Sequence, residues 1–207
     1  EKGHVWSLCF GLQGLLSSWR LTARIGGERA GFWALLLLVA VPRYYGHMFF
    51  NPKDIPLAAT YVCGVWALVA LFSNLPKPSW WHVAWVGLAA GVAMSARIAG
   101  LLILGYFALF VLLYLCVHYV SGARSGRCFQ WIEIAKDCGY WAIRGAASGL
   151  IALLPVLVFW PAMHANPFER FGQTVGTVQR YGWDGLVLMD GAFWQASDLP
   201  FYYIPYW

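Results

Sequence analysis

Charged residues are scarce in this chain. Asp, Glu, Lys and Arg make up 11% of its 207 residues, whereas hydrophobic residues make up 60%. Because soluble domains carry about 25% charged residues, this composition excludes an ordinary soluble domain. It indicates an integral membrane protein, in which each charged group close to hydrocarbon is a candidate functional residue.

Paired cysteines and a concentrated basic surface are also missing. The five cysteines show no Cys-x-x-Cys spacing, and no His-x-x-x-His pair accompanies them. Neither a disulfide framework nor a zinc site is therefore predicted. The net charge of +5 comes from basic residues in separate loops, so a nucleic acid, which needs a basic stripe or patch, is not an expected partner.

Long hydrophobic runs are what the sequence does contain. A membrane-spanning helix needs about 20 apolar residues, and residues 56–74 and 98–120 come close to that length. Shorter runs become long enough if their helices extend into the headgroup zone or lie inside the bundle. These runs are residues 5–18, 30–41, 82–96 and 145–160. The prediction is an all-α polytopic transmembrane helix bundle of about six membrane helices.

The domain prediction separates this bundle, residues 1–160, from an extracytoplasmic loop at 161–207. Within the loop, apolar residues recur at three to four positions, which predicts a short amphipathic juxtamembrane helix. These residues are Phe168, Phe171, Val175 and Val178. The loop leads toward a further span, and both chain ends are abrupt, so we expect a fragment of a longer protein.

Basic residues mark the membrane orientation. They fall in alternate loops, which contain Arg20, Arg24 and Arg29, then Lys77, then Arg124, Arg127, Lys136 and Arg144. The positive-inside tendency places these loops in the cytoplasm, with an interfacial helix inside residues 121–140. The active face then points outward. A bacterial inner membrane is the favoured location, with the endoplasmic reticulum membrane as the alternative.

Glycine and other small residues predict where the backbone turns and where helices pack. Gly26 and Gly27 predict the turn of the first helical hairpin. Small residues at four-residue intervals let membrane helices approach closely. They occur at Gly87, Gly91 and Ser95, and again at Gly145 and Gly149, so both segments are predicted packing surfaces.

The segment 42–56 concentrates polar chemistry between two hydrophobic runs. It carries a guanidinium, an imidazole, an ammonium and a carboxylate, from Arg43, His47, Lys53 and Asp54. Pro42 is expected to end one helix and Pro56 to lie in the first turn of the next. Asp54 is then near a helix N-terminus, where the helix dipole favours a carboxylate. We interpret the segment as part of a site for a charged lipid headgroup.

Structural roles are the alternative for each of these groups. The Arg/Lys–Asp cluster could satisfy itself and hold two helix ends together. His47 has the titration range of a general base, and it could equally be a metal ligand or an interfacial histidine. Arg97 is predicted at the same outer face, where it needs an anion such as phosphate. Its alternative partners are carbonyl groups or Asp198.

Four segments, taken in order, carry a resemblance. They are residues 43–47 with 51–56, residues 87–97 ending in Arg97, Trp160-Pro161 with residues 166–171, and residues 198–203. Over residues 19–207 this order resembles the GT-C polytopic glycosyltransferases. More narrowly, it resembles the branch of dolichyl-phosphate-mannose protein mannosyltransferases and aminoarabinose transferases.

The resemblance implies an enzyme that moves a sugar from a polyprenyl-phosphate donor to a hydroxyl of a lipid, glycan or protein, with inversion at the anomeric carbon. It implies that Arg43, Lys53 and Arg97 bind the carrier phosphate. Asp54 and His47 are the implied catalytic residues, and Asp54 positions the acceptor, the sugar or a divalent cation such as Mg²⁺ or Mn²⁺. The acceptor or sugar is positioned by Tyr45, Asn51, Asp198 and Tyr202. The catalytic base usual in the family is expected in an outer loop that precedes residue 1.

Two other function classes stay open. A polytopic transporter also places Arg and Asp inside a helix bundle, but it favours inverted repeats and helices broken by Gly or Pro, which we do not find in the sequence. A noncatalytic membrane subunit that binds membrane lipids would pair its arginine and aspartate only with each other.

Overall fold

The computed structural model describes residues 2–179 and 185–203, and it is 81% helical. The all-α class is therefore confirmed. Along these residues the elements are α1 (Lys2–Gly26), α2 (Glu28–Ala40), α3 (Pro42–Phe50), α4 (Asp54–Phe72), α5 (Trp80–Ala96), α6 (Leu101–Arg124), α7 (Trp131–Phe159), α8 (Pro167–Gln179), β1 (Leu186–Met189) and β2 (Ala192–Gln195). The chain divides into two compact units, Glu1–His164 and Ala165–Trp207.

Three helices are long and apolar enough to cross a membrane, which indicates a membrane protein. They are α4, the helix over Ile98–Arg124 that continues a 3₁₀ turn into α6, and α7. The two strongest predicted spans lie in the first two of these helices. The predicted run 145–160 lies in the third. The other three runs also form helices, but α2 and α5 have 13 and 17 residues and α1 is less apolar. The count of six spans therefore stays a prediction.

The first hairpin turns where the sequence predicted. Gly26 ends α1, Glu28 begins α2, and Gly27 between them has φ 84°. A side chain with a Cβ atom rarely adopts this backbone conformation, whereas glycine does so at little cost. The turn therefore depends on the glycine at position 27.

Small residues hold α5 against α7. A Cβ atom built on Gly87 would lie 2.6 Å from the Ser148 carbonyl oxygen, so the two backbones touch. The Ser148 hydroxyl donates a hydrogen bond to the Val83 carbonyl at 3.1 Å. The packing surface at Gly87 and Gly91 is confirmed. The second predicted surface, residues 145–149, also packs, through the buried Ser148 against α5 and through Gly145, whose Cβ position lies 3.3 Å from Phe107. Gly149 does not take part, because no heavy atom lies within 4 Å of its Cβ position.

The segment predicted as an interfacial helix is the beginning of a longer one. Helix α7 runs without interruption from Trp131 to Phe159, so its first ten residues continue directly into the membrane-spanning part. Arg144 is therefore not a loop residue, as its placement among the cytoplasmic basic residues predicted. It lies within α7 and is 9% exposed.

The second unit contains α8 and a β-hairpin. Helix α8 covers the segment predicted to be a short amphipathic helix. Strands β1 and β2 pair antiparallel, with Leu186 opposite Gln195. Asp190 and Gly191 connect them with φ values of 53° and 76°, the left-handed conformations that a two-residue hairpin turn requires.

Candidate functional site

The segment between α2 and α4 is mostly helical. Pro42 was expected to end a helix, but the chain is already extended at Val41, and Pro42 is the first residue of α3. Proline fits this position because the first helical N–H has no partner within the helix. After α3 the chain turns at residues 51–53, and α4 begins at Asp54 with Pro56 in its first turn. The predicted position of Asp54 at a helix N-terminus is confirmed.

Asn51 joins the end of α3 to the start of α4. Its side-chain oxygen accepts the backbone N–H groups of Lys53 and Asp54, at 3.1 and 2.9 Å. Its amide nitrogen donates to Oδ2 of Asp54 at 2.9 Å and contacts Nδ1 of His47 at 3.0 Å. An amide has two donors and two acceptor positions, so these four bonds use all of them. Asn51 therefore fixes the position of Asp54 relative to His47.

The same bonds determine the tautomer of His47. Because the Asn51 oxygen accepts two backbone N–H groups, the amide nitrogen is the atom that faces the imidazole. That nitrogen can only donate, so Nδ1 of His47 accepts and the neutral ring carries its hydrogen on Nε2. His47 lines an open cleft of about 510 Å³ together with Phe50 and Lys53. Its Nε2–H is a suitable donor to a polar ligand in that cleft.

Asp54 and Arg97 form an ion pair. Nη2 of Arg97 lies 2.6 Å from Oδ1 of Asp54. Arg97 stands between α5 and the following 3₁₀ turn, with an extended backbone, and its side chain is 51% exposed, against 57% for Asp54. The structure thus brings together the two residues that the predicted topology placed at one face. The alternative carboxylate, Asp198, belongs to the second unit.

The other two predicted phosphate ligands differ in position. Lys53 precedes Asp54 directly and lines the cleft beside His47. Arg43 lies in the first turn of α3, about 12 Å along the helix from Asn51 at 1.5 Å per residue. Arg97 thus contacts Asp54 directly, Lys53 precedes Asp54 in the chain, and Arg43 lies more than two helical turns from Asn51.

The remaining predicted residues make local contacts. Tyr45 is exposed and packs edge-on against Phe49, with ring centroids 5.5 Å apart. In the second unit, Asp198 accepts a hydrogen bond from the Ser197 hydroxyl at 3.1 Å, and Tyr202 packs edge-on against Phe201. Each is accessible to a ligand.

Tyr44 is a positioning residue that sequence reasoning missed. Its hydroxyl donates to the Gly11 carbonyl at 2.8 Å and so ties α3 to α1. Burial raises the pKa of Tyr44 above its ordinary value, which keeps this hydroxyl protonated as a donor. The sequence contained a signal, because Tyr44 and the buried Met48 are four residues apart, as expected for one face of a helix.

Asp54 keeps acceptor capacity beside its two partners, because each carboxylate oxygen has about two lone-pair sites. Both oxygens of this carboxylate already accept, one from Arg97 and one from Asn51. Within residues 2–179 and 185–203, no three His, Cys, Asp or Glu side chains are grouped so that they could hold a metal ion.

We expect Asn51→Ala to lower the free energy of unfolding by about 1 kcal/mol, the usual effect of removing a side-chain acceptor at a helix start. Asn51→Ser keeps a short acceptor and should lose less. The measurement is reversible unfolding in mixed micelles, followed by circular dichroism. Equal stability of Asn51→Ala and the wild type would show that the turn does not need this side chain.

No family model, curated protein or solved structure matches the chain.

Proposed function

We propose that this protein is a membrane glycosyltransferase, which moves a sugar from a polyprenyl-phosphate donor to an acceptor hydroxyl with inversion. The observation that carries the proposal is the Asp54–Arg97 ion pair at the start of a membrane-spanning helix, beside the cleft lined by His47 and Lys53. A carboxylate and two cations at the end of a span suit a reaction between a hydroxyl and a phosphate-bearing lipid.

Arg97 is the best-placed ligand for the carrier phosphate. A guanidinium has five N–H donors, and the contact with Asp54 uses one nitrogen of a half-exposed side chain. The other donors have the planar arrangement that suits phosphate oxygens. Lys53 adds a second positive charge next to Asp54. Both charges would stabilise the negative charge that grows on the leaving phosphate.

The reaction balances as a displacement at the anomeric carbon. The acceptor oxygen forms a bond to C1 as the bond between C1 and the phosphate oxygen breaks, and the electron pair leaves with polyprenyl phosphate. The acceptor proton passes to a carboxylate. Asp54 is the candidate within the described residues.

The other residues have supporting roles in this proposal. His47, with its hydrogen on Nε2, donates to a sugar or acceptor hydroxyl in the cleft, and Asn51 holds Asp54 in place. Tyr45 positions the acceptor or the sugar; the roles of Asp198 and Tyr202 stay predictions from the sequence. Arg43 contacts only a ligand that extends along α3, and no step passes through Mg²⁺ or Mn²⁺.

The location is also proposed. The separation of basic loops from the Asp54 end of the helices supports an outward-facing site, through the positive-inside tendency. We favour a bacterial inner membrane, where the donor, the acceptor and other membrane lipids reach the cleft from the periplasmic leaflet. In an endoplasmic reticulum membrane the same site would face the lumen.

One observation favours a second function. The contact between Arg97 and Asp54 is the pairing expected in a noncatalytic lipid-binding subunit, where the two residues satisfy each other. A transporter is the third class, and it would move its solute across a sealed membrane. The three functions differ in what they do to a labelled sugar lipid, so a transfer assay separates them.

The test uses the full-length protein in membrane vesicles with radiolabelled polyprenyl-phosphate mannose and polyprenyl-phosphate aminoarabinose. We expect label to move into the lipid, glycan or protein fraction, with free polyprenyl phosphate as the second product. Heat-denatured protein is the control.

Binding of the donor without transfer or release of sugar would support the lipid-binding subunit. Gradient-dependent uptake of a labelled solute into sealed vesicles, without transfer, would support a transporter. Either result contradicts the enzyme.

A further inference from the structure

We propose that Arg144 and Tyr140 form a binding site for a phosphate-bearing anion, of the kind carried by an acidic lipid headgroup. The site lies at the end of the first unit opposite Asp54 and Arg97. This position follows from α5, which begins at Trp80 beside Arg144 and ends just before Arg97. The inference is independent of sugar transfer.

Arg144 is held between two aromatic rings. Its guanidinium carbon lies 3.6 Å from the centroid of the Tyr140 ring and 4.5 Å from that of Trp80. Tyr140 and Arg144 are four residues apart on α7, so they share one face of the helix. The side chain of Arg144 is therefore fixed in direction by both helices that it contacts.

Two polar atoms of this pair lack a partner. Nε of Arg144 and the hydroxyl oxygen of Tyr140 are both buried, and neither makes a hydrogen bond within the described part of the chain. Nor does any carboxylate among those residues form an ion pair with Arg144. The nearest acidic side chain toward the start of α7, Asp137, accepts a hydrogen bond from the Tyr119 hydroxyl at 2.7 Å.

The energetics favour an anion. Contacts of a cation with aromatic faces contribute about 0.5 to 2 kcal/mol, whereas taking a charge out of water costs several kcal/mol. The two rings therefore offset part of the cost of burying Arg144, which is 9% exposed. An anion that accepts from the guanidinium and from the Tyr140 hydroxyl would satisfy both groups at once.

The depth of Arg144 favours a phosphate. It lies 16 residues before Trp160, about 24 Å along the helix at 1.5 Å per residue. A hydrocarbon core is about 30 Å thick. If Trp160 lies at one interface, where tryptophan is enriched, then Arg144 lies close to the opposite headgroups. Trp80, which covers the guanidinium, is 54% exposed, so this ring lies at the protein surface.

The experiment measures binding to the full-length, delipidated protein by native mass spectrometry. The probes are phosphatidylglycerol, zwitterionic phosphatidylcholine and inorganic phosphate. We expect phosphatidylglycerol to bind more tightly than phosphatidylcholine. Arg144→Gln should weaken its tightest site at least tenfold, and Tyr140→Phe, which removes one oxygen atom, about threefold. Arg124→Gln, which neutralises an exposed arginine at the end of α6, should change binding less than twofold.

The probes also identify the source of the phosphate. Inorganic phosphate that displaces phosphatidylglycerol from the wild type, but binds Arg144→Gln weakly, would show that the free anion suffices. Lipid binding without such displacement would show that the acyl chains are needed. The proposal is overturned if neither probe binds the wild type, or if Tyr140→Phe and a folded Arg144→Gln bind both probes as the wild type does. If Arg144→Gln does not fold, an unchanged Tyr140→Phe is enough to overturn it.

Discussion

Gly91→Ala is expected to lower the free energy of unfolding by about 3 kcal/mol, the upper part of the range for overpacking a tight contact. A Cβ atom on Gly91 would lie 2.9 Å from both Cα of Ala152 and Cδ of Pro155, and it would also collide with the Ala152 carbonyl oxygen. These are backbone and ring atoms that cannot rotate away. Helices α5 and α7 must separate, and close packing is what holds membrane helices together.

Gly149→Ala is the matched control for this prediction. The same methyl group is added in the helix that faces Gly91, but no heavy atom lies within 4 Å of the new Cβ position. Because alanine favours a helix more than glycine does, stability should stay equal or rise by up to about 1 kcal/mol. Unfolding in mixed micelles measures both variants. Equal destabilisation of the two would contradict the α5–α7 contact.

Local rules predicted a large part of the candidate site. Pro56 correctly predicted where α4 begins, and therefore that Asp54 lies at its start. Proline suits the first turn of a helix, because the N–H groups there have no partner within the helix. The hydrophobic runs before and after these residues indicated how often the chain reverses direction. The number of reversals predicted that Asp54 and Arg97 lie at the same end of the helix bundle, and in the structure the two side chains form an ion pair there.

The errors have physical causes. Pro42 is compatible with both the end of one helix and the start of another, and the sequence alone did not show that α3 follows at once. The β1–β2 hairpin was not predicted, although the sequence contains a signal for it: Asp190-Gly191 between two apolar segments favours a two-residue turn. Arg144 had none. Its burial depends on Trp80 from another helix, and sequence spacing does not reveal such a contact.

Asp54→Asn is expected to lower the rate of sugar transfer by about 100-fold or more, the range found when one charge-stabilising group is removed from an active site. Asparagine keeps the shape and still accepts from Asn51, but it removes the negative charge that faces Arg97. Arg97→Gln should have an effect of the same order. The assay is transfer of label from polyprenyl-phosphate sugar by the full-length protein.

The free energy of unfolding of Asp54→Asn and Arg97→Gln shows whether the ion pair acts in catalysis or only holds the two helix ends together. More than half of each side chain is exposed, and an exposed ion pair contributes about 0 to 1 kcal/mol, so Asp54→Asn and Arg97→Gln should unfold almost as the wild type does. Glu28→Gln is the control, because Glu28 is likewise an acidic residue in the first turn of a helix; it should leave transfer unchanged. Full transfer by Asp54→Asn would remove Asp54 from the site. If a variant loses transfer and is also strongly destabilised, the ion pair has a structural role, because the loss of activity then results from unfolding.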